Sequence, residues 1–279
     1  MKMDIKNIDK KYIIIGACTL VVVLIGFVVY IFKSKTPVEE SSFFSSFVSS
    51  SAPTTSMVLT EKIETEPVVT EPPMFERAAQ LYQLNSDTVG YIKINNTMVD
   101  YPVVQIPGNS EIGNSYYIDH DFDRNPAKKG AIFLDYRAYF GPDENLHSDN
   151  LVIYGHNMRN DTMFGSLRHY RQDYSFYEKN SIIELSSNYK DYKYEIFGFF
   201  IVSGSSTSDF KYWNYINFAN EEEFNQFVNQ VKRRSLVKID ADVKYGDKLV
   251  TLSTCYADED NSRFVIVGRR LSDEEASMT

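Results

Sequence analysis

Twenty-one consecutive residues, Tyr12–Phe32 (YIIIGACTLVVVLIGFVVYIF), carry no formal charge. A helix of that length rises roughly 31 Å, about the depth of a bilayer's hydrocarbon core, so the chain does not read as one uniform water-soluble globule. A cleaved secretory signal has a shorter apolar stretch and a small-residue cleavage site. Here Tyr30, Ile31, Phe32 and Lys33 follow with no A-x-A pattern, which predicts an uncleaved transmembrane anchor over 12–32. Lys2, Lys6, Lys10 and Lys11 precede the run while Lys33 and Lys35 follow it. By the positive-inside rule residues 1–11 are then cytoplasmic and the bulk of the chain is extracytoplasmic. Cys18 falls inside the apolar run, where it serves as a small apolar residue.

Residues 33–73 turn to Ser, Thr, Pro and Glu without sustained periodicity, as in EKIETEPVVTEPP, and read as a flexible stalk. From Met74 the pattern becomes that of a folded domain running to the end of the chain, 74–279, long enough to bury one core without disulfides. The 38 acidic against 29 basic residues give a formal charge of −9, which argues against a nucleic acid as partner. With two cysteines in all, no disulfide framework is available.

FERAAQLYQLN places Phe75, Ala78, Ala79 and Tyr82 at helical spacing and predicts a short leading helix. After it β-type segments dominate: Val89–Ile94, Met98–Gln105, Gly130–Tyr136, Asn150–Gly155, Ser181–Ser186, Tyr194–Val202, Lys248–Cys255 and Arg263–Leu271. Short strands between Asn/Asp/Gly/Pro-rich turns predict a mainly β barrel or sandwich. One interruption is helical. In NEEEFNQFVNQVKRRS, Asn220 is placed to cap, glutamates fill the first turn, and Lys232, Arg233 and Arg234 fill the last. Phe224, Phe227, Val228 and Val231 form its apolar stripe.

Cys255 is the one thiol outside the apolar run, at the end of an apolar strand where the polar YADEDNS begins. An unpaired thiol in an oxidising compartment points to a nucleophile, against the alternative of a buried inert cysteine. Thiol chemistry needs a base and an anion stabiliser. Of His120, His147, His156 and His169, His156 directly follows the strand LVIYG and is delivered to a strand end, whereas His147 sits in a polar loop and His169 on a short helix. Asp119, Asp121 and Asp123 around His120 mimic the start of a calcium loop. The sixth position lacks its glycine and the twelfth is Gly130 rather than glutamate, so the segment reads as a solvated turn. No CxxC or HxxxH spacing supports zinc, and no cofactor is expected. Arg263 opens the last strand just after the loop that Cys255 begins, where a guanidinium can stabilise an oxyanion. Arg269 and Arg270 fall at that strand's far end.

TLSTC ending in Cys255, RFVIVGR beginning at Arg263 and NLVIYGHNM around His156 resemble the catalytic segments of sortases. YIKINNTMVDYPVVQ, DFDRNPAKKGAIFLDYR, MFGSLRHY and the inserted helix resemble class B sortases in particular. The resemblance implies an eight-stranded sortase-type barrel with a leading helix and a helix between strands six and seven. It implies a membrane-anchored cysteine transpeptidase on the surface of a Gram-positive bacterium. Such an enzyme cleaves a C-terminal sorting signal, NPxTx-like or a variant, after its Thr, and passes the thioester-linked protein to a peptidoglycan precursor amine. Carried over, Cys255 is the nucleophile, His156 the acid and base, and Arg263 the oxyanion donor. Tyr212, Tyr215 and Thr254 are then candidates for substrate binding, with core packing an equal explanation for the tyrosines. YADEDNS is unusually acidic for the cysteine-to-arginine loop.

Two rivals come from other classes. A papain-like cell-wall peptidase places cysteine before histidine, the reverse of the order here, and an L,D-transpeptidase brings the two close in sequence. A catalytically silent surface-binding module would tolerate an unreactive cysteine.

Overall fold

The computed structural model describes residues 71–106, 112–255 and 261–279. The expected cytoplasmic tail, the membrane anchor and all of the stalk before residue 71 lie outside the described residues, as does most of the acidic loop after Cys255. Among the described residues no helix is long and apolar enough to cross a membrane.

The strands are β1 (Thr88–Lys93), β2 (Asp100–Val104), β3 (Ile132–Leu134), β4 (Asn150–Tyr154), β5 (Ile182–Ser187), β6 (Asp191–Ser203), β7 (Leu249–Cys255) and β8 (Ser262–Arg270). They form a closed barrel in the order β1-β2-β3-β4-β7-β8-β6-β5, with β5 pairing back onto β1. This decides between the barrel and the sandwich that the strand spacing left open. Pairs β2/β3 and β4/β7 are parallel. Parallel neighbours need long crossovers, which is where the non-β segments of the chain are spent.

Burial along the strands follows what covers them. At the start of β6, Tyr192 and Tyr194 are buried while the residues between and beside them are not, the period-two signature of a sheet with one wet face. From Ile196 to Phe200 burial is continuous, because a helix covers the outer face there. That helix is α4, Glu221–Arg234, set between β6 and β7. The side chain of Asn220 accepts from the Glu223 N–H at 3.0 Å, and Phe224, Phe227, Val228 and Val231 are its buried face, as the spacing predicts. A Cβ at Gly198 would lie 2.5 Å from Val231 Cγ1, so a residue without a side chain is needed where α4 presses on β6.

The remaining helices are short. They are α1 (Glu76–Leu84), α2 (His169–Gln172), α3 (Tyr174–Lys179) and α5 (Asp273–Ser277). The leading helix α1 is present, but its predicted stripe is not a core face: Ala78 is buried, whereas Phe75 and Tyr82 are exposed. A helix this short lies on the surface, and its start is held by the Phe75 N–H donating to the Asn188 carbonyl at 2.9 Å. Following β8, α5 is held by a Ser272–Glu275 capping box, and Glu275 also pairs with Arg269 of β8 at 2.8 Å.

His147 lies in the loop before β4 as its surroundings suggest, but it is buried. It is 3% exposed, its Nε2 faces the Gly141 carbonyl at 2.8 Å, and its ring packs on Phe140 and Tyr192. Burial, together with the nearby Arg270 and Lys248 cations, outweighs the Gly141 carbonyl and Glu144 and holds its pKa below the usual 6.5. The unfolded chain therefore binds a proton at a pH where the folded one does not. Stability should fall as pH drops below about 6.5, and His147→Gln should flatten that part of a melting-temperature-against-pH curve. In the core, Phe227 packs against Phe210, Tyr215 and Phe218. Phe227→Ala should cost about 3–5 kcal/mol in a urea unfolding experiment.

Candidate active site

The topology brings three distant sequence positions to one pole of the barrel. β4 runs parallel to β7, with Tyr154 opposite Ser253, so the chain leaving β4 reaches His156 beside the end of β7. The Gly155 N–H donates to the Ser253 carbonyl at 3.2 Å and continues that pairing past the strand. β7 then turns into β8 with Cys255 opposite Arg263. Directly opposed residues of an antiparallel pair have Cα atoms about 5 Å apart. His156 and Arg263, with Ser253 and Thr254 from the end of β7, line a cleft of about 350 Å³. Among the four histidines, His156 alone lines it.

The other three have structural partners. His120 stacks on Tyr116 at 4.2 Å and its Nδ1 faces Asp119 at 2.7 Å. His169 lies 3.8 Å from Asp161, and His147 is the buried residue described above. Asp121 has its Oδ1 occupied by the N–H groups of Asp123 and Asn125, both at 3.1 Å, so that carboxylate closes its own turn. Among the described residues no group of three or more His, Cys, Asp or Glu side chains is arranged to hold a metal.

The His156 Nε2 lies 2.6 Å from the Ile118 carbonyl oxygen. A carbonyl can only accept, so this nitrogen carries a proton, and Nδ1 is the ring atom left to exchange one. Ile118 is held in turn. Its neighbour Tyr117 is buried, donates to Asp87 at 2.7 Å and accepts from Asn85 at 2.9 Å. Gly130 passes close behind with φ +58°, and a Cβ there would lie 2.4 Å from the Tyr117 oxygen and 2.6 Å from the Ile118 oxygen. Arg263 lies beside Gly204, and its Nη1 donates to the Ser262 carbonyl at 3.2 Å. Arg269 and Arg270 are at the opposite end of β8, Arg269 paired with Glu195 and Glu275, in agreement with their exclusion from the site.

The candidate substrate residues separate. Thr254 lines the cleft, and its buried hydroxyl has no hydrogen-bond partner among the described residues. Tyr212 is buried one layer beneath, its hydroxyl 2.5 Å from Ser253 Oγ, and Tyr215 packs among Phe210, Phe218 and Phe227. Neither tyrosine lines the cleft. Not foreseen from the sequence is the rest of the cleft lining, where Asn114, Ile118 and Tyr154 stand. An aspartate amid the apolar IFLDY was the available signal, because a charge there requires partners.

A family model for the sortase domain matches residues 92–271. The chain belongs to the sortase family. Its relatives are class B enzymes. Sortase B of Staphylococcus aureus is 36% identical over 202 residues, covering 71% of this chain and 74% of the relative. Sortase B of Listeria monocytogenes is 34% identical over 191 residues, covering 68% and 72%. The solved Staphylococcus aureus sortase B–substrate complex superposes with a TM-score of 0.61 at 31% identity, covering 72% of this chain and 87% of that one. The chain is therefore a class B sortase-type cysteine transpeptidase, and the family is one of cell-surface enzymes acting on sorting signals and a peptidoglycan amine. In this sortase Gly130→Ala forces a side chain into a left-handed residue, costing about 1–2 kcal/mol, and displaces the Ile118 carbonyl from His156. Steady-state kinetics should show kcat/KM falling about tenfold or more at a temperature where the variant remains folded.

Proposed function

We propose that Cys255, His156 and Arg263 carry out the transpeptidation. The observation behind this reading is the register that sets Cys255 opposite Arg263 on β8 while β4 delivers His156 beside the same strand end. The Cys255 thiolate attacks the carbonyl carbon of the signal's Thr, and the Arg263 guanidinium takes the charge on the oxyanion. As the C–N bond breaks, His156 gives a proton to the leaving amine. A thioester remains. A peptidoglycan precursor amine then attacks it, His156 recovers a proton from that amine, and the thiolate departs. Because the thioester stores the energy of the cleaved amide, no ATP is required outside the cell.

The place of Thr254 in the cleft lining supports a contact with the bound peptide, and the likeness to a substrate-bound class B enzyme supports an NPxTx-like signal or a variant of it. The uncharged run over 12–32, with its lysine-rich N-terminal side, supports a single-pass anchor with the catalytic domain outside the membrane. A silent binding module is disfavoured by the family membership and by the cleft at the strand end.

Cys255→Ala should lower turnover of a fluorogenic sorting-signal peptide by at least about 10³-fold, and Arg263→Ala by about 10²–10³-fold, with unchanged circular dichroism. Turnover persisting in folded Cys255→Ala would remove the nucleophile assignment. A library of signal peptides presented to the full chain in detergent reads out the sequence preference.

A further inference from the structure

Asp135 is fully buried just after β3, yet it is a carboxylate with five hydrogen bonds. Arg137 supplies three of them, from Nε at 2.8 Å, Nη2 at 2.8 Å and its backbone N–H at 3.0 Å. The other two come from cleft-lining side chains: Asn114 Nδ2 donates at 2.8 Å and the Tyr154 hydroxyl at 3.0 Å. Burial alone would raise the Asp135 pKa, but the hydrogen bonds and charge of Arg137, with Asn114, pull it below its usual value. It is thus an anion throughout the neutral range, and a permanent acceptor.

That acceptor orients two walls. The Asn114 amide is pinned at both ends, since its Oδ1 accepts from the Tyr136 N–H at 2.9 Å. One N–H and one lone pair of its amide are thereby left for other partners. Tyr154 donates its proton away to Asp135, and it stands two residues before His156 on the same chain. Arg137 carries the connection further, donating from Nη2 to the Trp213 carbonyl at 2.5 Å. The adjacent Tyr212 meets Ser253 under the end of β7. One buried charge therefore bonds the Asn114 side chain and the strand leading to His156, and through Arg137 it reaches the support of the strand that ends in Cys255.

We propose that Asp135 is a positioning residue of this sortase, fixing Asn114 and Tyr154 as the surface against which the extended signal peptide is held. The inference rests on the cleft being the peptide groove. Its signature is a loss of peptide recognition with the thiol chemistry left intact, because a small alkylating reagent needs no groove wall.

The test uses the full chain in detergent with Cys18→Ala, so that Cys255 is the single thiol. Asp135→Asn and Tyr154→Phe are compared with this parent for KM and kcat on the signal peptide and for the rate of iodoacetamide alkylation. The expected result is a KM raised about tenfold in Asp135→Asn and about threefold in Tyr154→Phe, with alkylation within twofold of the parent. Tyr154→Phe should add little in the Asp135→Asn background, since both remove the same contact. A folded Asp135→Asn with parental KM overturns the proposal, as does a parallel fall of alkylation and turnover. If Asp135→Asn does not fold, the cycle between Tyr154→Phe and Asn114→Ala decides. Non-additive KM effects support the shared hub, and additive effects overturn it. Parental turnover that survives complete alkylation of Cys255 would instead sink the nucleophile assignment, leaving the wall measurement separate.

Discussion

The parallel pairing of β4 with β7 is the contact on which the site depends. Sheets readily join neighbours in sequence, but His156 and Cys255 are far apart along the chain and arrive together because Asn150–Tyr154 lies alongside Leu249–Ser253 in register. A register slip of one residue reverses which face every side chain of a strand presents. The buried Asn150 amide of β4 resists such a slip, since its Oδ1 accepts from the Thr251 hydroxyl of β7 at 2.8 Å and its Nδ2 donates to the Tyr215 carbonyl at 2.7 Å. Closure by β5 onto β1 removes the free edges that would otherwise let the strands shift.

What could be read in the sequence was what local pattern encodes. All eight strands were legible from β-branched and aromatic runs, and α4 from its cap and stripe. The convergence of Cys255, His156 and Arg263 on one pole was legible because each adjoins a strand end, and because the motifs around them resemble those of a known family. The rest of the cleft lining was not. Asn114 and Ile118 lie in a segment of turns, and their place beside His156 arises from Tyr117, Gly130 and β3, none of which sets a periodic signal. For the tyrosines of DFKYWNYINF the sequence left a binding role and core packing equally open. In the structure Tyr215 packs against Phe227 of α4, while Tyr212 packs against Phe200 of β6 and bonds Ser253 of β7.

His147 and Asp135 show two ways of keeping an ionisable group inside this domain. The imidazole is held neutral among aromatic rings, with one nitrogen bonded to a carbonyl. The carboxylate is held charged, because it is surrounded by donors and a guanidinium. Burial of an ion without such partners is far more costly than either arrangement. The second solution is also informative about function, since two of its donors are cleft residues and the others reach the rest of the site.

The capping box of α5 and its ion pair with β8 place the last helix at the pole away from the cleft. Between Arg263 and Arg270 the strand advances roughly 23 Å, with Arg263 on the cleft and Arg270 at the other pole. A fluorescent protein or affinity handle joined behind α5 would thus project from the back of the enzyme, leaving the entrance for peptide and amine unobstructed.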